Sequence, residues 1–324
     1  MSATLADIAK VAQTSISTVS RVLADAPAAQ RISEALRLKI ARVAKEMGYR
    51  PNLLARSLRT RRTHTIAVLV SDIANPWFGQ LASLIEQELH KSGYTVMLCN
   101  SCEDAELEQE YLHLLTQKGI DGLIIVPLAT QRQSLISPLP VDLPLVVVDR
   151  PVADMQASVT SDQQQAARLL CEQMEKIGVK RVALVRGPGH VITHRLRADA
   201  VRDRFEVVVE HEGPAQPETG RAAWAKARGH RVDAAVCTNN FLGQGVIDEM
   251  ANDAQRTPVA CFDELPVMDL LPMPIVCCVQ DVPRLAGEAV SLLLRQLEGP
   301  QSPCQVVVPA RVVWNRAFNN LRGV

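Results

Sequence analysis

The chain has 324 residues, of which 47% are hydrophobic and 22% charged, and this composition excludes a disordered tail, a collagen-like chain and a coiled-coil rod. No apolar run could span a bilayer and no export signal is visible, so we expect a cytoplasmic protein whose eight cysteines are reduced. The net charge is zero, yet residues 1–62 carry twelve lysines and arginines against four acidic residues. This basic segment points to nucleic acid as a partner, and a solvated basic surface is the alternative.

Residues 1–50 are predicted to form three short helices. Thr4 and Asp7 have the spacing of a capping box at the start of the first helix. Ser15 is placed to cap the second helix, and Ser33 begins the third, which should end in a left-handed cap at Gly48. Residues 51–64 follow as a hinge. They could form one or two helical turns, but a helix this short is not stable alone in water.

From residue 65 onward, fully apolar runs of four to six residues alternate with helical stretches. This alternation is typical of parallel sheets covered by helices on both faces. Two such series predict an α/β body with two doubly wound subdomains, whose ligands would lie beyond the carboxyl ends of the strands. The expected boundaries are 65–158 plus 281–307 for the first subdomain and 159–280 plus 308–318 for the second.

Several motifs in chain order resemble the LacI/GalR family of bacterial repressors. They are TLADIAKVAQTSISTVSRVL at 4–23, GYRPNLLARSLR at 48–59, and SDIANPWF, DGLIIVP, VVVDRP, TSD and FDE in the body. The loop at 26–33 and the DRP sequence are most similar to the fructose- and sucrose-responsive branch. The resemblance implies a helix-turn-helix head, a hinge helix and a periplasmic-binding-protein-like body. The first turn departs from the family pattern, with Gln13 and Thr14 in place of glycine and valine, and places a non-glycine residue in a left-handed turn.

The second helix of a helix-turn-helix enters the major groove of DNA. On its open face, Arg21 can pair with guanine and Ile16 can contact a thymine methyl group, although a core position for Ile16 is the alternative. By the resemblance, Leu58 wedges into a central base step of the minor groove between Arg56 and Arg59, and a buried linker leucine is the alternative. The residues expected to contact DNA are Thr4, Ser15, Ile16, Ser17, Thr18, Ser20, Arg21, Asn52, Arg56, Leu58 and Arg59.

The resemblance also implies a small-molecule effector in the cleft between the subdomains. Carboxylates that accept from hydroxyl groups, together with arginines that donate, indicate a sugar-like ligand. Two guanidinium groups, those of Arg150 and Arg197, predict an acidic or phosphorylated sugar over a neutral one. Asp149 and Asp263 have a second interpretation, as simple helix caps. The residues expected to bind the effector are Asn75, Trp77, Asp149, Arg150, Arg197, Asn239, Asp263 and Gln280.

No catalytic, metal or cofactor site is indicated by the sequence. Cys99 and Cys102 have CxxC spacing, but they follow a strand and precede an acidic segment, which disfavours a reactive thiolate. His190 and His194 match no catalytic pattern. We therefore expect a homodimeric, effector-controlled repressor, with a tetramer less favoured. A sugar-binding transport protein and a sugar-modifying enzyme are the alternatives.

Overall fold

The computed structural model describes residues 3–23, 27–49, 62–251, 253, 256–266 and 268–322. The chain divides into two compact units, a head at Met1–Thr63 and a body at His64–Val324. Among the described residues, no helix is long and apolar enough to cross a lipid bilayer.

The described residues of the head form three α-helices and a short 3-10 helix at Pro27–Arg31. The predicted capping box is confirmed, since Thr4 Oγ1 accepts from the Asp7 amide while the Asp7 carboxylate accepts from the Thr4 amide. Buried apolar side chains from all three helices form one small core. The α-helices are α1 (Leu5–Ala12), α2 (Ile16–Leu23) and α3 (Glu34–Glu46).

Two left-handed residues end helices of the head. Gln13 has a φ of 56°, as the departure from the family's glycine predicted, and its strain is of order 1 kcal/mol. Gly48 follows α3 with a φ of 62°, where glycine adopts this conformation without steric cost. The expected hinge at 51–64 lies mostly outside the described residues, so its helix stays a prediction.

In the described part of the body, the strands form two six-stranded sheets. The strands of the first sheet are β1 (Thr65–Val70), β2 (Thr95–Asn100), β3 (Gly122–Ile125), β4 (Leu145–Val148), β5 (Ala157–Ser161) and β11 (Cys304–Val308). The strands of the second sheet are β6 (Arg181–Arg186), β7 (Glu206–Glu212), β8 (Ala234–Cys237), β9 (Val259–Phe262), β10 (Ile275–Val279) and β12 (Arg311–Trp314).

The two sheets repeat one strand order, β11-β5-β4-β3-β1-β2 in the first and β12-β10-β9-β8-β6-β7 in the second. All pairings are parallel except that of β12 with β10. The described α-helices of the body are α4 (Pro76–Lys91), α5 (Ala105–Lys118), α6 (Arg132–Ile136), α7 (Gln163–Lys176), α8 (Ile192–Arg202), α9 (Pro217–Ala227), α10 (Asn240–Met250), α11 (Val282–Glu298) and α12 (Arg316–Arg322).

Each sheet is buried on both faces, which explains why its central strands are apolar throughout. In β1, for example, Ile66 and Val68 pack into one apolar cluster while Leu69 packs into another on the opposite face. The second sheet separates two further clusters in the same way. Continuous apolar strands are therefore required by the architecture.

The expected subdomain boundaries need a correction. The boundaries at 158/159 and 307/308 would each cut a strand of the first sheet, because β5 continues to Ser161 and β11 to Val308. The chain instead passes between the sheets after these two residues. The sequence ASVTS of β5 contains too few apolar residues to stand out as a buried strand, although most of it is buried.

Candidate functional site

A cavity of about 300 Å³ lies at the carboxyl ends of the strands, with walls from both subdomains. We call it the cleft cavity. This volume is at the lower end of the usual range for small-molecule sites, roughly 300–1,000 Å³. All the residues expected to bind the effector line it, namely Asn75, Trp77, Asp149, Arg150, Arg197, Asn239, Asp263 and Gln280.

Asp149 and Asp263 occupy equivalent places in the two sheets. Asp149 follows β4 with a φ of 67°, and Asp263 follows β9 with a φ of 66°. The backbone amide of Asp149 donates to the Val159 carbonyl of the neighbouring strand β5. In the same way, the amide of Asp263 donates to the Cys278 carbonyl of the neighbouring strand β10. Neither residue begins a helix, so helix capping does not explain them. Non-glycine residues held in this conformation are typical of functional sites.

The two carboxylates differ in their partners. Asp263 accepts a hydrogen bond of 2.8 Å from Gln280 and lies 3.5 Å from an Arg197 nitrogen. Asp149 is buried, and its Oδ1 has no hydrogen-bond partner among the described residues. Burial raises the pKa of Asp149 to about 6, against the opposing effect of Arg197 and Arg150.

Both guanidinium groups of the cavity are already paired. Arg150 makes a two-pronged ion pair with Glu103 at 3.0 and 2.5 Å. Arg197 donates to the Gln163 side chain at 2.9 Å and to the Thr238 carbonyl at 2.8 Å, in addition to its contact with Asp263. The Arg197 guanidinium also lies 4.6 Å from a phenylalanine ring centre of β9. Neither arginine therefore carries spare positive charge into the cavity.

The first subdomain contributes an aromatic wall and a link to the second. Trp77 and Phe78 pack edge to face, with ring centres 4.9 Å apart. Asn75 accepts from the Trp77 amide and thereby caps α4. Its side-chain amide also exchanges two hydrogen bonds of 3.1 Å with that of Asn240 in the second subdomain. This buried amide pair holds the two subdomains together beside the cavity.

Two expected ligand residues have structural partners as well. The Asn239 side chain accepts from the Leu242 amide and caps α10. Gln280 accepts from the Ser161 hydroxyl and donates to Asp263, and so connects the two sheets where the chain passes between them. Both line the cavity, but their polar atoms are largely used by the protein itself.

The sequence interpretation did not include several residues of the cavity wall, among them Phe78, Glu103, His190 and His194. Glu103 and Phe78 contact Arg150 from the first subdomain, at hydrogen-bond distance and at 6.0 Å respectively. His190 and His194 line the cavity from the second subdomain. The sequence spacing could have indicated His194, because it precedes Arg197 by three positions and therefore lies on the same face of α8.

The predicted DNA-reading face of α2 is open in the head. Ile16 is 52% exposed, which rules out a core position, and Ser17 and Arg21 are exposed beside it. The Ser15 hydroxyl accepts from the Thr18 amide at 3.1 Å and so caps α2. Thr4 is exposed, and Thr18 and Ser20 are partly exposed. The remaining DNA-contact predictions lie outside the described residues: Asn52, Arg56, Leu58 and Arg59.

The cysteine pair with CxxC spacing shows no feature of a reactive thiol site. Cys99 is buried and Cys102 exposed, both are free thiols, and burial raises the pKa of Cys99. Within the described ranges, no group of three or more histidine, cysteine or acidic side chains could hold a metal ion.

Comparisons with known proteins agree with this architecture. Residues 4–52 match the model of bacterial regulatory proteins of the lacI family, and residues 63–296 match that of periplasmic binding proteins and the sugar binding domain of the LacI family. A ribose operon repressor from Halalkalibacterium halodurans is 29% identical, over 96% of this chain and 95% of its own length. A sucrose operon repressor from Pediococcus pentosaceus is 35% identical, over 57% and 55%. The crystal structure of the Lac repressor dimer with operator and the anti-inducer ONPF superimposes with a TM-score of 0.84 at 22% identity, covering 97% and 98% of the two chains.

Proposed function

This chain belongs to the lacI family of bacterial regulatory proteins, and we propose that its effector is an uncharged sugar bound in the cleft cavity. As a member of this family it is a DNA-binding transcriptional repressor that a small effector controls. The observation that carries the proposal is the pairing of both cavity arginines with carboxylates. The names of the ribose and sucrose operon repressors support a sugar as the class of ligand.

The charges of the cavity disfavour an anionic ligand. The Arg150 charge is cancelled by Glu103 and that of Arg197 by Asp263, while Asp149, with a pKa of about 6, adds a carboxylate that is ionised at neutral pH. A phosphate or sugar acid would have to displace these carboxylates or be buried beside them, and a buried unpaired charge costs several kcal/mol. This pairing argues against the acidic or phosphorylated sugar that two arginines suggested from the sequence.

Three residues that line the cavity carry buried, unpaired polar atoms, which we propose pair with a polyhydroxylated ligand. Buried atoms without a hydrogen-bond partner among the described residues include Asp149 Oδ1, Arg150 Nε and Trp77 Nε1. Each such atom costs about 1–3 kcal/mol when it stays unpaired, so a ligand that pairs with them gains affinity. One acceptor and two donors beside an aromatic face suit the hydroxyl groups and the apolar face of a sugar ring.

Calorimetry on the full-length protein tests the ligand class. D-ribose, D-fructose and sucrose are titrated beside ribose 5-phosphate and fructose 1-phosphate at pH 7.5. We expect at least one neutral sugar to bind at least tenfold more tightly than every phosphate ester. Tighter binding of a phosphate ester would overturn the proposal.

A pair of arginine variants tests the location of the site. Arg197→Ala removes a buried guanidinium from the wall of the cavity, and Arg195→Ala removes an exposed one from the same helix outside it. Leaving buried partners unpaired should weaken sugar binding by about tenfold or more in Arg197→Ala. Arg195→Ala should bind like the wild type. Equal affinities in the two variants would place the ligand elsewhere.

We propose a homodimer as the functional assembly. The strand β2 lies at an edge of the first sheet, and Leu98 on it is 47% exposed. An exposed edge strand with an apolar side chain favours association over a monomeric state. Light scattering on the full-length protein should give twice the chain mass. The Leu98→Arg variant should shift the protein toward the monomer, and an unshifted mass would remove this strand from the interface.

A further inference from the structure

His194 is held rigidly at the wall of the cleft cavity. It is 5% exposed on α8, and its Nδ1 lies 2.7 Å from the Thr238 hydroxyl oxygen. The Thr238 hydroxyl is fully buried and also accepts from the Gly187 amide at 3.0 Å. A side chain at Gly187 would collide with the imidazole ring. Glycine at this position therefore leaves room for the ring.

The hydrogen bonds identify the tautomer of the ring. The Thr238 hydroxyl has two partners among the described residues, the Gly187 amide and the imidazole. The amide can only donate, so the buried hydroxyl proton needs the imidazole Nδ1 as its acceptor. With Nδ1 accepting, a neutral ring carries its proton on Nε2. Burial lowers the pKa of His194 well below 6.5, and the charge of Arg197 acts in the same direction, so the ring is neutral.

We infer that His194 is a specificity-determining residue, whose Nε2–H donates a hydrogen bond to one hydroxyl or ring oxygen of the bound sugar. The inference rests on the proposed function and adds a residue that sequence patterns left without a role. The ring lines the cavity and its Nδ1 is already occupied, so Nε2 is its one polar atom left for a ligand. A neutral donor suits an uncharged oxygen, whereas anionic groups are bound best by charged donors.

The decisive experiment combines protein variants with altered sugars. D-ribose and its 2-deoxy, 3-deoxy and 5-deoxy derivatives are titrated by calorimetry against the full-length wild type, His194→Ala and His194→Gln. The exposed His113, replaced by alanine, is the matched control. We expect His194→Ala to weaken D-ribose binding about tenfold and His194→Gln, which keeps an N–H donor, by less. His113→Ala should leave binding unchanged.

The deoxy sugars separate a direct contact from a structural role. In the wild type, loss of the hydroxyl that accepts from His194 should weaken binding about tenfold. In His194→Ala the same derivative should bind as well as D-ribose does, because the contact is already absent. Equal losses for every derivative in both proteins would show that His194 acts only through packing, and would overturn the inference.

A spectroscopic measurement on the wild type covers the case in which the variants do not fold. Nitrogen chemical shifts of ¹⁵N-labelled histidine should show one ring protonated at Nε2 and unprotonated at Nδ1, without titration between pH 6.5 and 8. A proton on Nδ1 would contradict the inference while leaving the neutral-sugar proposal intact. If D-ribose, D-fructose and sucrose all fail to bind the wild type, both the inference and the proposed function are wrong.

Discussion

The buried carboxyl group of Asp149 should make the ligand-free protein more stable as the pH falls. Its pKa is about 6 in the folded protein against an ordinary value of 3.8. A raised folded-state pKa means that the folded chain binds the proton more tightly than the unfolded chain. The stabilisation therefore develops as the pH falls from about 6 to about 4. A shift of about two pKa units corresponds to roughly 3 kcal/mol.

The Asp149→Asn variant isolates this effect, because asparagine is neutral at every pH, has nearly the same shape and tolerates the left-handed backbone. We expect the variant to be more stable than the wild type by up to about 3 kcal/mol at pH 8. The difference should shrink toward zero near pH 4. At roughly 2–4 °C per kcal/mol, the melting temperature at pH 8 should rise by about 6–12 °C. Sugar binding should weaken at the same time, because the amide has one acceptor oxygen where the carboxylate has two, and a neutral oxygen accepts more weakly.

Thermal unfolding from pH 4.5 to 8.5, without sugar, measures this difference. The comparison between variant and wild type is needed because His194 has the opposite influence. Its folded-state pKa lies well below 6.5, so stability is lost as the pH falls through 6.5, where the unfolded chain gains the proton. The exposed Asp142→Asn is the control and should show no such pH dependence. A destabilised Asp149→Asn at pH 8 would mean that attraction to the arginines outweighs desolvation, and the reasoning would be refuted.

Three further outcomes are expected. Arg21→Ala should weaken binding to DNA selected from a random pool by about 1–3 kcal/mol and relax the base preference at one position. Arg42→Ala, exposed on α3, should keep the base preference of the wild type, and equal selectivity in both variants would remove α2 from base reading. Gly245→Ala should lower the free energy of unfolding of the body by about 1–3 kcal/mol in urea, because the alanine Cβ would collide with the α9 backbone. An unchanged unfolding midpoint would contradict the packing of α9 on α10. Asn240→Ala should weaken sugar binding about two- to tenfold in calorimetry, because it removes the pair of hydrogen bonds between Asn75 and Asn240 that joins the subdomains. An unaltered affinity would show that this amide pair does not support the cleft cavity.

Strand positions could be predicted where burial on both faces demands apolar residues, and less well elsewhere. The runs at 66–70 in β1, at β4 and at β9 are visible because every position in them is apolar. The strand β5 escaped prediction because polar residues alternate with valine and alanine in ASVTS. Its burial depends on contact with β11, which is far away along the chain.

The same limit applies to the site. Its members were expected from the resemblance to the LacI/GalR family, and most of them lie in loops after strands, because parallel strands bring their carboxyl ends to one edge. The pairing of those members could not be predicted, because Arg150 meets Glu103 across 47 positions and Arg197 meets Asp263 across 66. These long-range pairs decide the charge of the cavity. Two unpaired arginines would favour an anion, whereas two paired ones favour a neutral ligand.

The equivalence of Asp149 and Asp263 explains how a duplicated fold produces a site that is not symmetric. Both carboxylates follow equivalent strands with the same left-handed backbone, so local structure alone would give them one role. Asp263 is held by Gln280 and Arg197, and its oxygens serve to connect the cavity wall. Arg150, which could have neutralised Asp149, is instead paired with Glu103. The oxygen that stays unpaired on Asp149 lowers the stability of the ligand-free protein, and this unmet hydrogen-bonding capacity becomes affinity when a sugar hydroxyl donates to it.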